Sequence, residues 1–500
     1  MILAVCVAGV SFLALGASFT YVMNDIFVDL QATPQQENLM REAPSLAALL
    51  VVFVAGSIGH RLGERRVLVA CGLMSVVGFA VVLTASSMTW ATIGLLLADG
   101  AHSAMVVVGL GLVSSMVSGK DGRAAAFSTY GAAIPVAYIV MPLLAGAILG
   151  VSNWRWVAAL WIVTAIAGTA AYWKWLPHRA PARSTGELLT PALAGLILAL
   201  AVEIPSNLHT GGWSARIAVE ATALVVCAGA LAVSMRVIKS PSFSLAPLRN
   251  RGLVLLLVIL LLTTFANLWF YTTLALEYVL GLTALEVAAV LIPAQFGSII
   301  GAKIAGRLIR TRGIAFAGGL LLGVNALTLF LSALLSASSP VWLPVTILTV
   351  YAGSLVGATV SLTNGIMNTA RKGADGDIAA FRSATSSLGA AVSVAVMTSI
   401  VFTAGSVSLK NQAAAAGVDA AQVSQLAAAM RDGMTPQDAA SAYSLPVTEA
   451  NEVEVMQEQA YLVAFRTQGV AGGTVTFFAA ALFYVVRRRQ ERSESVMTAA

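Results

Sequence analysis

Gly56–Arg66 reads GSIGHRLGERR and joins one apolar stretch to the next. A basic tract framed by glycines at that point marks a tight hairpin between two membrane-crossing helices. The glycines permit the turn and the arginines stay in water. A looser copy, GRLIRTRG, occupies Gly306–Gly313, 250 positions later. Both copies carry glycine at their first and eighth positions, Leu or Ile at the third and His or Arg at the fifth. The chain therefore reads as two related halves with equivalent hairpins on one membrane face.

Composition agrees. Hydrophobic residues make up 58% of the 500 positions and charged residues 10%, whereas a water-soluble globule carries about 25% charged residues. Mean hydropathy is +0.85. In a soluble protein the net charge of +6 would point to nucleic acid; here what matters is where the bases lie relative to the apolar segments, and no nucleic-acid partner is expected. Cys6, Cys71 and Cys227 all sit inside apolar stretches and form no CxxC pattern. They read as small buried thiols, with no metal site and no disulfide framework.

A span needs about 20 apolar residues. Fourteen are predicted, near 2–27, 38–59, 67–86, 90–117, 124–150, 155–176, 188–205, 216–237, 252–277, 284–306, 314–335, 341–366, 379–404 and 461–486. The first runs into a polar stretch without an Ala-x-Ala site and is read as a retained helix. Connections after the even-numbered spans, with the C-terminal tail, hold 21 of the 29 Lys and Arg. The positive-inside rule then makes both termini and both hairpins cytoplasmic. Basic linkers at 177–190 and 238–252 divide the chain into a six-helix bundle (1–176), a two-helix insert (177–251), a second six-helix bundle (252–486) and a tail (487–500). Within the second bundle, Gly405–Ala460 reads as an extracytoplasmic loop carrying seven acidic residues and suggestions of short helices. A solvated cap is the simpler reading of this loop; a docking site for a protein partner is the alternative.

GSIGHRLGERR is similar to the loop between helices 2 and 3 of the major facilitator superfamily. Four further blocks resemble its fourteen-helix drug:proton antiporter branch: MPLLAG (Met141–Gly146), NWRWVAALWIV (Asn153–Val163), PSFSLAPLRNRG (Pro241–Gly252) and YVLGLTALEVAAVLIP (Tyr278–Pro293). The resemblance implies an all-α integral membrane protein in which two six-helix bundles enclose a central cavity, with the extra helix pair at the side. It also implies alternating access by rocking, and export of lipophilic, often cationic, compounds across the plasma membrane, a bacterial inner membrane being the expected one. No cofactor is implied. The sequence has no GxSxG, HExxH, Walker A or paired-cysteine motif, so no enzyme is expected.

Candidate functional residues fall into four groups. Gly56, His60, Arg61, Gly63, Arg65 and Arg66, with Gly306, Arg310 and Gly313, form the conformational hairpins; His60 stands where the family usually has an acid, so that latch is weakened, rewired through Glu64 or made pH-sensitive, unless His60 is simply a loop residue. Gly131, Pro142 and Gly146 permit a bend and close contacts in the fifth span, or Pro142 is an ordinary packing proline. Trp154 and Trp156 read as interfacial anchors. In the fourth span DGAHS (Asp99–Ser103) replaces the RxxQG of many relatives. Asp99 is about ten residues from the outer end, or roughly 15 Å deep, and His102 shares its helical face. The two form a proton-exchanging or substrate-binding pair, or a buried pair that only joins helices. Asp25, next to the position where relatives carry an acid, is the second proton candidate. Phe265, Trp269 and Tyr271 are candidate cavity aromatics, though such a stripe is more often packing. The expected partners are a small amphipathic substrate, protons and membrane lipid. Lipid or metabolite export without proton coupling, and a non-transporting receptor or assembly partner, are the alternatives.

Overall fold

A computed structural model describes residue 9 and residues 12–117, 120–177, 187–211, 214–238, 244–265, 284–336, 339–369, 375–416, 423, 425 and 447–499. Within them run fourteen α-helices. In the first half they are α1 (Ala14–Asp29), α2 (Pro34–Leu62), α3 (Glu64–Leu83), α4 (Met88–Met116), α5 (Lys120–Leu149) and α6 (Trp154–Trp175). Two more follow, α7 (Leu189–Gly211) and α8 (Ala215–Val237). The second half comprises α9 (Arg251–Phe265), α10 (Ala284–Arg312), α11 (Ile314–Ser332), α12 (Trp342–Met367), α13 (Asp375–Ala416) and α14 (Val447–Ala499). Eight of these helices have an apolar core long enough to cross a bilayer, and shorter apolar stretches lie at Leu46–Gly59, Leu189–Ile204 and Arg251–Thr264.

Local chemistry sets the helix starts. Thr33 and Gln36 form a reciprocal capping box ahead of Pro34, whose ring suits the first helical turn. Asn153 accepts the Arg155 amide at 3.1 Å, and Ser214 accepts that of Ile217 at 3.4 Å. Asp375 and Asp377 lie in the first turn of α13, where carboxylates favour the helix dipole.

The two halves repeat one packing scheme. In the first, α2 packs on α4, α3 on α4 and α6, and α1 on α5 and α6. In the second, α10 packs on α12, α11 on α12 and α14, and α9 on α13 and α14. Each pair is its counterpart displaced by eight helices. The halves meet where α2 and α4 touch α13, and where α10 and α12 touch α5. The insert sits outside: α7 packs on α2 and α13, and α8 on α7. Gly195 of α7 lies against the Leu50 carbonyl, so a side chain there would strike backbone. Val219, Val225 and Val233 of α8 are exposed, as are Leu73, Val163, Leu327 and Phe478 elsewhere. Such a belt is stable facing lipid and would be a liability in water.

Where the sequence predicts a loop at 405–460, both described ends are helical. α13 continues to Ala416 and α14 begins at Val447. They remain in contact there: Gln412 Nε2 donates to the Met456 carbonyl at 3.3 Å.

Candidate functional site

The two hairpins share one backbone solution. Gly63 (φ 85°) separates α2 from α3, and Gly313 (φ 87°) separates α10 from α11. Among the described residues these are the glycines with positive φ. One left-handed residue reverses the chain with no intervening loop, and a side chain would be strained there. Around the first hairpin, Arg61 Nη2 donates to the Glu187 carbonyl at 2.8 Å. Arg65 donates to the Trp173 carbonyl, and its guanidinium lies 5.0 Å from that indole ring. At the second hairpin the Ala315 amide donates to Glu491 Oε1 of α14 at 3.1 Å, beside Gly313. Arg66 and Arg310 are exposed.

The same tracts begin at the junction of the halves. A methyl group on Gly56 would come within 3.1 Å of the Gly376 carbonyl and of Ala380 Cβ, both on α13. On Gly306 it would come within 2.5 Å of Ser128 Oγ on α5. Two side-chain bonds cross the junction at this basic end: Ser114 Oγ of α4 to Asp375 Oδ1 at 2.6 Å, and Arg123 Nη1 of α5 to Asn368 Oδ1 at the end of α12 at 3.1 Å. They too are related by the eight-helix displacement. Phe53 and Phe381 meet edge to face just inside, with ring centroids 5.5 Å apart. Gly131 presses on Val360 of α12, where a methyl group would come within 2.7 Å. The basic end is thus closed by glycine contacts and a few short polar bonds.

Beyond this closure, a partly open cavity of about 110 Å³ lies among the residues just ahead of α1 (Gly9, Phe12 and Leu13) and α4, α5, α6 and α13. Its apolar wall includes Phe12 and Tyr172, stacked at 5.8 Å and 7°. Its polar lining is His102 of α4, Tyr130 of α5 and Arg382 of α13. Nδ1 of His102 is buried without a hydrogen-bond partner. Arg382 Nε donates to Thr363 Oγ1 of α12 at 3.2 Å. An imidazole and a guanidinium from opposite halves therefore face one aromatic chamber.

The Major Facilitator Superfamily model matches residues 1–394. The chain belongs to the major facilitator superfamily. No curated protein matches significantly. Two solved structures of similar fold are the human organic anion transporter MFSD10 (TETRAN) and a bacterial homologue of the iron transporter ferroportin in an outward-facing state. The first gives a TM-score of 0.61 at 13% identity, covering 96% of this chain and 97% of that one. The second gives 0.56 at 11% identity, covering 96% and 98%. Membership makes the chain a multi-pass membrane transporter, and its helix order and packing set an extra pair beside two six-helix groups.

Within this superfamily frame the other candidates separate. Asp99 lies one turn from His102 but outside the cavity lining, within electrostatic range of Tyr138 of α5; no hydrogen bond joins Asp99 to His102. Asp25 is exposed near the opposite end of α1. Pro142 and Pro135 both lie inside continuous α5. Gly146 has open space around it, so the close contact expected there is absent. The side chains of His60 and Phe265, and all of Trp269 and Tyr271, lie outside the described residues.

Two side chains have roles the sequence reading does not give them. Trp156 is exposed as an interfacial anchor should be, but Trp154 is 2% exposed and donates Nε1 to Asp29 Oδ2 at 3.1 Å. Arg155 Nη1 binds the same oxygen at 2.6 Å. The Arg155 bond first, and the Trp154 bond second, hold the Asp29 carboxyl below its ordinary value. Arg382 is the second case. Hydropathy starts its span at 379 and leaves it near the surface, whereas α13 starts at Asp375 and carries it two turns inward. The acidic first turn of DGDIAAFR is the signal that would have found it.

Proposed function

We propose that this superfamily member is a secondary active exporter of amphipathic organic solutes, working by alternating access with proton antiport. The observation that carries this reading is the cavity: intramembrane polar groups from both halves face an aromatic wall, directly above a closure made of breakable contacts. Ionisable groups at such depth are costly and mark substrate or proton paths. The concentration of Lys and Arg at the hairpin end supports a cytoplasmic placement of that end, and we take the host to be a plasma membrane, specifically a bacterial inner membrane. The closure then lies on the cytoplasmic side. Similar solved structures carry different cargoes, so the cargo has to be argued from this cavity's own residues.

Asp99, with His102 one turn away, is the proton-carrying pair in this reading, and Asp25 the second choice. Export without proton coupling is the rival, favoured by the position of Asp99 outside the lining. The two readings separate in proteoliposomes with an imposed pH gradient. Asp99→Asn should lose at least about tenfold of gradient-driven accumulation, and an uncoupler should abolish the wild-type signal. Full gradient-driven transport by Asp99→Asn would remove the assignment, and uncoupler-insensitive flux would favour the rival.

A further inference from the structure

Arg382 carries a positive charge into the cavity, and no carboxylate is among the described residues lining it. Among the described residues its hydrogen-bond partner is the Thr363 hydroxyl, taken by Nε. The terminal Nη groups, which form the fork that grips an oxyanion, have no protein partner there. The described carboxylates on its own helix are Asp375, bound to Ser114 Oγ, and Asp377; both belong to the first turn and neither is in the cavity lining. The ion pairs of the described residues lie elsewhere, joining Arg155 to Asp29 and Arg216 to Glu203 and Glu220. No Asp or Glu is among the described residues that line the cavity.

A charge held away from bulk water without a counter-ion is expensive, by several kcal/mol in order of magnitude. A structural role for Arg382 explains poorly why one neutral hydroxyl is its partner, because a neutral glutamine would reach it without burying a charge. A cation-binding cavity would present an unpaired acid; this lining presents an unpaired base. Beside it stand Nδ1 of His102, buried and unpartnered, and the Tyr130 phenol, within electrostatic range of the guanidinium. Opposite these groups is the stacked pair of Phe12 and Tyr172. A planar guanidinium with two free Nη groups matches a carboxylate, sulfonate or phosphate in bidentate geometry, and a flat aromatic wall matches an apolar body.

We infer that the cavity binds amphipathic organic anions, with the Arg382 guanidinium gripping the anionic head and the Phe12–Tyr172 wall holding the apolar body. Thr363 is a positioning residue: by accepting from Nε it turns the fork into the cavity. The inference deepens the transport reading by naming its substrate class, but binding is measured without transport, so each can fail alone.

The test uses three probes with one naphthalene body: 2-naphthalenesulfonate, neutral 2-naphthalenemethanol and cationic (2-naphthylmethyl)trimethylammonium. Each is titrated calorimetrically into the full chain in lipid nanodiscs, with empty nanodiscs subtracted. The wild type should bind the sulfonate at least tenfold more tightly than the alcohol, a difference of about 1.4 kcal/mol, and the cation most weakly. Arg382→Gln should erase the preference for the sulfonate while leaving the alcohol's affinity unchanged, which also shows that the cavity is folded. Arg382→Lys should keep a reduced preference, because the charge survives without the fork. Thr363→Val should weaken the sulfonate alone. A wild type that prefers the cation or the alcohol overturns the inference without any variant, as does an Arg382→Gln protein that keeps full sulfonate affinity. Selective binding of the sulfonate with no flux of it in proteoliposomes would leave the inference standing and sink the transport reading.

Discussion

The halves share a packing scheme but not a seam. In the second half, Gly297 and Gly301 of α10 face Gly353 and Gly357 of α12, and a side chain at Gly301 or Gly353 would run into the opposite backbone. Two small-xxx-small stretches let these helices touch main chain to main chain. The equivalent seam of α2 with α4 is looser: Gly59 meets the Val108 side chain, and a methyl group on Gly100 would lie an ordinary 3.7 Å from the Val51 side chain. The looser seam belongs to the helix that carries Asp99 and His102. On α12 the buried polar residues are uncharged Ser354, Ser361, Thr363 and Asn364. The comparison teaches a division of labour. One half is a stiff support that carries Arg382 into the cavity at the junction, and the other holds the ionisable helix in packing that can yield.

That contrast can be broken most directly at two glycines of similar depth. Gly353→Ala should cost about 1–3 kcal/mol through overpacking against the Gly297 carbonyl. Gly100→Ala should stay within about 0.5 kcal/mol. Thermal unfolding of the two purified variants checks this, and equal losses would erase the proposed difference between the seams. A comparable or smaller effect is expected at the paired bonds of the basic end. Both involve an ionisable side chain, a class worth about 1.5–3 kcal/mol; Asp375→Ala, at the buried bond, should fall in that range, and Asn368→Ala, at the half-buried bond from Arg123, at or below its low end. Hydrogen exchange in the last turns of α4 should therefore accelerate more in Asp375→Ala, and the reverse order would sharpen the account against itself.

The smallest effect lies at the opposite end, where Asp29 ties α1 to Arg155 and Trp154. Its carboxyl is held below the usual value of 3.8. A depressed folded pKa contributes stability that is complete above the unfolded value and is lost as pH falls through the folded one. Asp29→Asn should therefore lower stability by no more than about 1 kcal/mol, the pair being exposed. The gap from wild type should stay constant from pH 5 to 8 and shrink below pH 3.8. A gap that opened in acid would contradict this.

Much of the architecture was legible in sequence because bilayer physics writes it there. Helix number, the inserted pair and the hairpin echo all follow from apolar length and glycine placement, and Gly63 and Gly313 adopt the same left-handed turn. Hydropathy misses helix that continues beyond lipid, as in the alanine-rich end of α13 at NQAAAA, whose helical periodicity owes nothing to the membrane. The method fails at Trp154 for another reason. An indole at a helix end looks the same whether it faces lipid or a neighbouring carboxylate, and only packing decides. Arg382 was missed because an apolar window begins after the acidic turn that starts its helix. The candidate site was half visible: His102 lines the cavity as its depth suggests, while its counterpart from the other half required three dimensions.

The central claim is that the halves must part at the basic end for transport to occur. Ser114 Oγ and Asp375 Oδ1 are 2.6 Å apart, so cysteines at the two positions lie within the span of a short, reducible bis-methanethiosulfonate cross-linker, which makes up for the bond by which aspartate outreaches cysteine. The decisive measurement is gradient-driven flux in proteoliposomes by a Ser114→Cys, Asp375→Cys protein, with Cys6, Cys71 and Cys227 replaced. Cross-linking should abolish flux and reduction should restore it. Undiminished flux through the cross-linked protein would contradict the account.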